Sequence, residues 1–272
     1  MTTRLVSRIT LTAVLVSTTA ALIARAWLQL QLLQDGVSPN LAEDLSYLVV
    51  VPVLVFLLFP LWLGQKSFLR NQFQRVDLTW RVALQAFAIG LVLRLLWWSQ
   101  LVAGISFGVY SSNDPNAIVG PLFSFQCAAV PNVILGFFVM AIMVPLIEEV
   151  VHRGYVMSAL RHRGLVISVL ISALVFMVLH KFSSWPFAFF GGLVFGLQYW
   201  TTQSLWPSLI SHATVNGLIQ LDWHCLSGQW NPQAGVPLMM PGLLATAAIV
   251  AGFAALVYLL RQTATGAHKA PR

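Results

Sequence analysis

The side chains of this chain that could do chemistry are few and lie close together in sequence. Glu148 and Glu149 are adjacent inside a run that is otherwise apolar. A charged side chain near mid-bilayer costs at least about 2.5 kcal/mol even on lenient insertion scales, so an intramembrane carboxylate is by default a functional hypothesis. Arg153 follows Glu149 by four residues, one helical turn along the same face, where an ion pair can form. Glu148 points about 100° away around the helix. That geometry separates a carboxylate neutralised by arginine from one left free to handle protons. A buried salt bridge that only orients helices is the competing interpretation.

Two further pairs bear on that choice. Phe176 and His180 are four apart, as are His212 and Asn216, so each pair shares a helical face. A lone membrane histidine usually packs or bonds a neighbouring helix. Here two histidines, an asparagine and two glutamates are nearly all the strongly polar side chains of three apolar spans, and such groups should converge. Residues 132–162 can run as one long tilted helix that ends before a turn at Gly164. Glu148 lies 16 residues before Gly164 and His180 lies 16 after it, which gives equal depth in an antiparallel hairpin. His212 follows Pro207 by only five residues, so it reaches that depth only if the turn before it is recessed.

The pattern Glu148-Glu149-x-x-x-Arg153, Phe176-x-x-x-His180, His212-x-x-x-Asn216 resembles the CAAX protease and bacteriocin-processing family of glutamate-dependent intramembrane proteases. That family includes the Ras-converting endopeptidases and the Abi-type bacterial proteins. All three motifs are present without substitution. The resemblance covers about residues 132–220, the catalytic core it implies, while residues 1–131 fit in hydropathy only. Peptide hydrolysis needs an activated water, a base and donors aimed at the oxyanion. The resemblance implies that Glu148 takes the proton from water, assisted by His180. It implies that Arg153 holds Glu149, and that His212 and Asn216 donate to the oxyanion. No cofactor is expected. Zinc held by Glu148 or Glu149 with His180 and His212 is the alternative. Glu149-x-x-His152 is half of a carboxylate di-metal motif whose second copy is missing, and no H-E-x-x-H occurs.

These residues need helices to position them, and the composition supplies helices. The 272 residues are 58% hydrophobic and 8% charged, against roughly 25% charged in soluble domains. Eight apolar runs, 9–33, 45–64, 83–104, 132–153, 164–182, 186–204, 207–221 and 241–260, predict an all-α, polytopic transmembrane bundle of about eight spans forming one domain over 1–272. Arg4 and Arg8 with Ala24 and Ala26 also describe a cleavable signal peptide, but the apolar pattern continues through Leu33, which favours an uncleaved helix.

With the N-terminus inside, 12 of the 15 bases face the cytoplasm, so both termini are expected there, in a bacterial plasma membrane. The net charge of +7 is spread over short loops with no basic arm, which argues against nucleic acid. The expected partners are membrane lipids and a membrane-associated protein or peptide substrate. Cys127 and Cys225 fall on the outer side, where a disulfide could persist or two thiols could stay unpaired. Gly192 and Gly196 form a G-x-x-x-G pair expected to mark close helix packing. Arg25 and Arg94 lie deep in spans, and Arg25 could snorkel or pair with an acid such as Asp35. A transporter, which would usually show inverted repeats, and a silent scaffold are the non-enzymatic alternatives.

Overall fold

The computed structural model describes residues 8–74, 78–107, 130–220 and 239–267, and every element among them is helical. Cys127 and Cys225 lie outside the described residues. Nine helices follow in chain order: α1 (Arg8–Gln34), α2 (Pro39–Gly64), α3 (Lys66–Gln74), α4 (Trp80–Ser106), α5 (Val130–Arg163), α6 (Leu165–Val178), α7 (Trp185–Thr202), α8 (Leu205–Gln220) and α9 (Met239–Ala267). Each of the eight apolar runs is one of these helices, and α3 is a short amphipathic addition. Five of them, α1, α2, α4, α5 and α9, are long and apolar enough to cross a membrane. The other three, α6 to α8, are shorter. With its apolar faces turned outward, as at Phe56, Val166 and Val250, the chain is an integral membrane protein.

Helix α2 starts six residues before the apolar run that marks it, because Pro39 suits the first turn of a helix, where no N–H bond is lost. The extension places Glu43 and Asp44 within the helix. Helix α5 is continuous, as its hydropathy predicts, but contains two widened π segments, Phe137–Met143 and Val150–Met157. Pro145 follows the first directly and has no N–H to return to the preceding turn. At Gly164, φ of +88° is a conformation open to glycine, and it reverses the chain from α5 into α6. The α5–α6 hairpin is then tied by serines four apart on α6. The Ser168 hydroxyl donates to the carbonyls of Leu160 (2.8 Å) and Gly164 (2.7 Å), and the Ser172 hydroxyl to that of His152 (3.2 Å).

Helix α4 packs on α8 and α9, α1 on α2, and α6 on α7. One apolar cluster gathers Val14, Leu54, Val139, Val151, Tyr155 and Leu205, and a second gathers Ile89, Leu93, Val194 and Phe195. Where α7 passes α6, a Cβ on Gly192 would stand 3.0 Å from the Ala173 Cα, and one on Gly196 3.2 Å from Val169. The G-x-x-x-G pair is therefore a close-packing seam. Between α7 and α8 the chain turns at Gln203, with Thr202, Ser204 and Leu205 all buried. The turn is recessed inside the protein, which is the condition for His212 to reach the glutamates.

Candidate active site

The polar residues converge on one imidazole. His212, on α8, faces two neighbouring carboxylates of α5: its Nδ1 lies 2.9 Å from Glu149 Oε1, and its Nε2 lies 3.6 Å from Glu148 Oε2. The contact at 2.9 Å is a hydrogen bond, and the one at 3.6 Å is too long to be one. Glu149 Oε1 also accepts from Arg153 Nη1 at 2.9 Å, the ion pair expected from their spacing. That pair is closed off from its surroundings, with side-chain exposures of 1% for Glu149 and 0% for Arg153. The Glu148 side chain keeps 19%. The structure thus distinguishes a carboxylate locked between arginine and histidine from a neighbour with an open side.

Aromatic rings hold this arrangement. The guanidinium of Arg153 lies 4.7 Å from the ring centre of Phe176 and 5.4 Å from that of Phe195, and its Nη2 donates to the Gly192 carbonyl at 3.2 Å. The His212 ring stacks on Phe195 at 4.9 Å and meets Phe176 edge-on at 5.5 Å. Cation–π contact is strongest where water is excluded, and here the arginine and both rings are buried. Phe176 is also the hub of three histidines, with His180 at 4.5 Å and His152 at 5.0 Å besides His212.

The remaining residues singled out from the sequence are placed differently. His180 sits just beyond α6. Its Nδ1 bonds the Phe176 carbonyl at 2.7 Å, and its own carbonyl accepts from Trp185 Nε1 at 3.1 Å. Its described contacts thus run to Phe176 and Trp185, while the imidazole beside Glu148 is that of His212. Asn216 lies one turn beyond His212, and its Nδ2 donates to the Met140 carbonyl at 2.9 Å, in the first π segment of α5. Among the described residues, no three His, Cys, Asp or Glu side chains form a group that could hold a metal ion.

Two contributors escaped the sequence motifs. Phe195 is one apolar residue in a helix of apolar residues, and nothing in its spacing marks it. His152 does carry a signal, because it follows Glu148 by four and shares its face. It is 2% exposed, its Nδ1 is buried without a hydrogen-bond partner, and it lines a cavity together with Glu148. That cavity, of about 40 Å³, lies between α5, α1 and α2. A water needs about 10–15 Å³ by this measure, so a few fit beside Glu148.

Residues 130–218 match the family model described as type II CAAX prenyl endopeptidase, Rce1-like. This part of the chain is an Rce1-like domain. It spans α5 to α8 and contains all six of the residues drawn from the motifs. The family is one of membrane-embedded CAAX endopeptidases, so peptide hydrolysis is the activity the Rce1-like domain points to. No curated protein and no solved structure matches the chain. Helices α1 to α4 and α9 lie outside the Rce1-like match.

Proposed function

We propose that the protein is a glutamate-dependent intramembrane endopeptidase that hydrolyses a peptide bond in a membrane-associated protein or peptide. The observation that carries this proposal is the His212 imidazole held between Glu149 and Glu148, with Glu148 on the wall of a water-sized cavity. Glu148 removes a proton from a water as the water oxygen bonds the scissile carbonyl carbon. The carbonyl oxygen becomes an oxyanion, and the proton on Glu148 then passes to the amide nitrogen as the C–N bond breaks. Glu149 and Arg153 orient the reaction centre: with Nδ1 committed to Glu149, Nε2 of His212 is the nitrogen turned toward Glu148 and able to donate to the oxyanion. Asn216 is assigned the second donor, supported by its place one turn from His212. His180 assists from across Phe176. No metal takes part in this scheme.

The test is cleavage of a panel of fluorogenic membrane peptides, with and without a prenyl group, by the full chain in nanodiscs. Turnover should fall to background in Glu148→Gln while the protein still inserts and melts cooperatively. Full turnover in Glu148→Gln would rule the mechanism out. Loss of wild-type turnover on chelation, with recovery on added zinc, would replace it with metal chemistry.

A further inference from the structure

We infer that Arg25 is a binding site for a carboxylate at the end of an apolar chain, and that the ligand enters the same cavity that Glu148 borders. Arg25 belongs to α1, outside the Rce1-like segment, and it lies well within an apolar span. It lines the cavity with Tyr47, Glu148 and His152, and the remaining wall is mostly aliphatic, including Leu22, Val51, Ile147 and Leu179. The cavity thus offers one cationic contact to a ligand and otherwise apolar surface.

The arginine is held but incompletely neutralised. Its side chain is 12% exposed. Its guanidinium lies 4.5 Å from the Tyr47 ring centre, and Nη1 donates to Gln29 Oε1 at 3.1 Å. Its Nε is buried without a hydrogen-bond partner. The carboxylate paired with it is that of Glu43, at 3.8 Å, and Glu43 is committed at 2.8 Å to Lys181. Asp35, the acid suggested by the sequence, is not the partner that Arg25 takes. Removing an arginine from water inside a membrane is costly unless an anion compensates it. A planar carboxylate can take two parallel N–H bonds from a guanidinium, which Glu43 at 3.8 Å does not do. An enclosed volume of about 40 Å³ admits such a group rather than a whole peptide, so only the charged end of the ligand lies inside.

Two ligands share this chemistry: the free C-terminus of an apolar peptide and a fatty acid. The peptide end fits better with Glu148 on the same cavity, and that preference rests on the peptidase proposal. The arginine site itself does not.

Binding decides the matter without turnover. The full chain carrying Glu148→Gln is placed in nanodiscs and titrated with a dansyl-labelled apolar tetrapeptide as the free acid and as the C-terminal amide, and with dodecanoate against dodecanol as competitors. The acid should bind about tenfold to a hundredfold more tightly than the amide. That preference should vanish in Arg25→Gln and return in part in Arg25→Lys. An Arg25-dependent preference for dodecanoate, with no preference between the peptides, keeps the site and assigns it to a fatty acid. If Arg25→Gln does not fold, Glu43→Gln decides, because freeing Arg25 from its carboxylate should widen the preference. No preference for either acid, a preference that survives Arg25→Gln, or no widening in Glu43→Gln overturns the inference. Cleavage is scored separately in the protein with Glu148 intact. Arg25-dependent binding without cleavage would sink the peptidase proposal and leave the carboxylate site standing.

Discussion

His212 touches both carboxylates, so its removal and that of Glu148 should act on one step. His212→Gln and Glu148→Gln should each reduce kcat severely, and the double variant should be little worse than either, as for residues working as a unit. Independent, multiplying losses in single-turnover assays would show that the two act separately. Asn216 admits a sharper test because it has a competing structural duty, its bond to the Met140 carbonyl. Loss of that hydrogen bond costs about 1 kcal/mol of stability, whereas loss of an oxyanion donor costs about 10² to 10³ in kcat. Asn216→Ala should show the second with little of the first. Asn216→Asp should retain more activity than Ala, with its optimum moved to lower pH, because an ionised carboxylate cannot donate. Unchanged kcat with a lowered melting temperature would make Asn216 a helix clasp. At this scale the sequence was informative about Glu149 and Arg153, whose four-residue spacing is a local fact. It was silent on the pairing of His212 with Glu149, 63 residues apart, and on the Arg25 contact with Glu43, because long-range partners are set by packing.

The elements that bring these residues together depend on one close approach. Gly192 supplies both the seam between α6 and α7 and the carbonyl that binds Arg153 Nη2. A methyl group there would meet backbone 3.0 Å away, which cannot rotate aside as a long side chain would. Gly192→Ala should therefore cost about 1–3 kcal/mol of stability and lower kcat by loosening Arg153. Gly64→Ala, with nothing within 4 Å, is the control and should do neither. Ala173→Gly should restore part of the loss in the double variant. If Gly192→Ala melts and turns over like the wild type, the helices have more freedom than the seam implies. Helix identity was legible from hydropathy over all eight apolar runs, and so was the break at Gly164. The π segments of α5 were not, since an extra residue per turn leaves apolar composition unchanged. Helix α2 was read short because Glu43 and Asp44 interrupt the apolar run without interrupting the helix.

Across the whole molecule the charges separate by end, and this bears on which side of the membrane the chain's ends occupy. At one end the Tyr199 hydroxyl bonds Gln72 Oε1 of α3 at 2.5 Å and Ser158 of α5 at 2.8 Å, while Arg161 lies over Trp200. These contacts gather α3, the last turns of α5 and the end of α7, with the exposed bases Arg70, Arg161 and Arg163 among them. At the other, Glu43 joins α2 to Arg25 of α1 and to Lys181 of the α6–α7 turn. Arg153 does not belong to the basic end, because the site buries it. Short basic loops stay in the cytoplasm, so the end carrying Arg70 and Arg163 should face inward. In a background of Cys127→Ser and Cys225→Ser, single cysteines at Arg70 and His162 should resist an impermeant maleimide added to intact cells and react after permeabilisation. Cysteines at Gln34 and Phe182 should react at once. All four positions are exposed, so the contrast measures sidedness rather than burial. The reverse pattern would turn the bundle over and put the mouth beside Arg25 and Lys181 in the cytoplasm, where a cytoplasmic C-terminus could reach it directly.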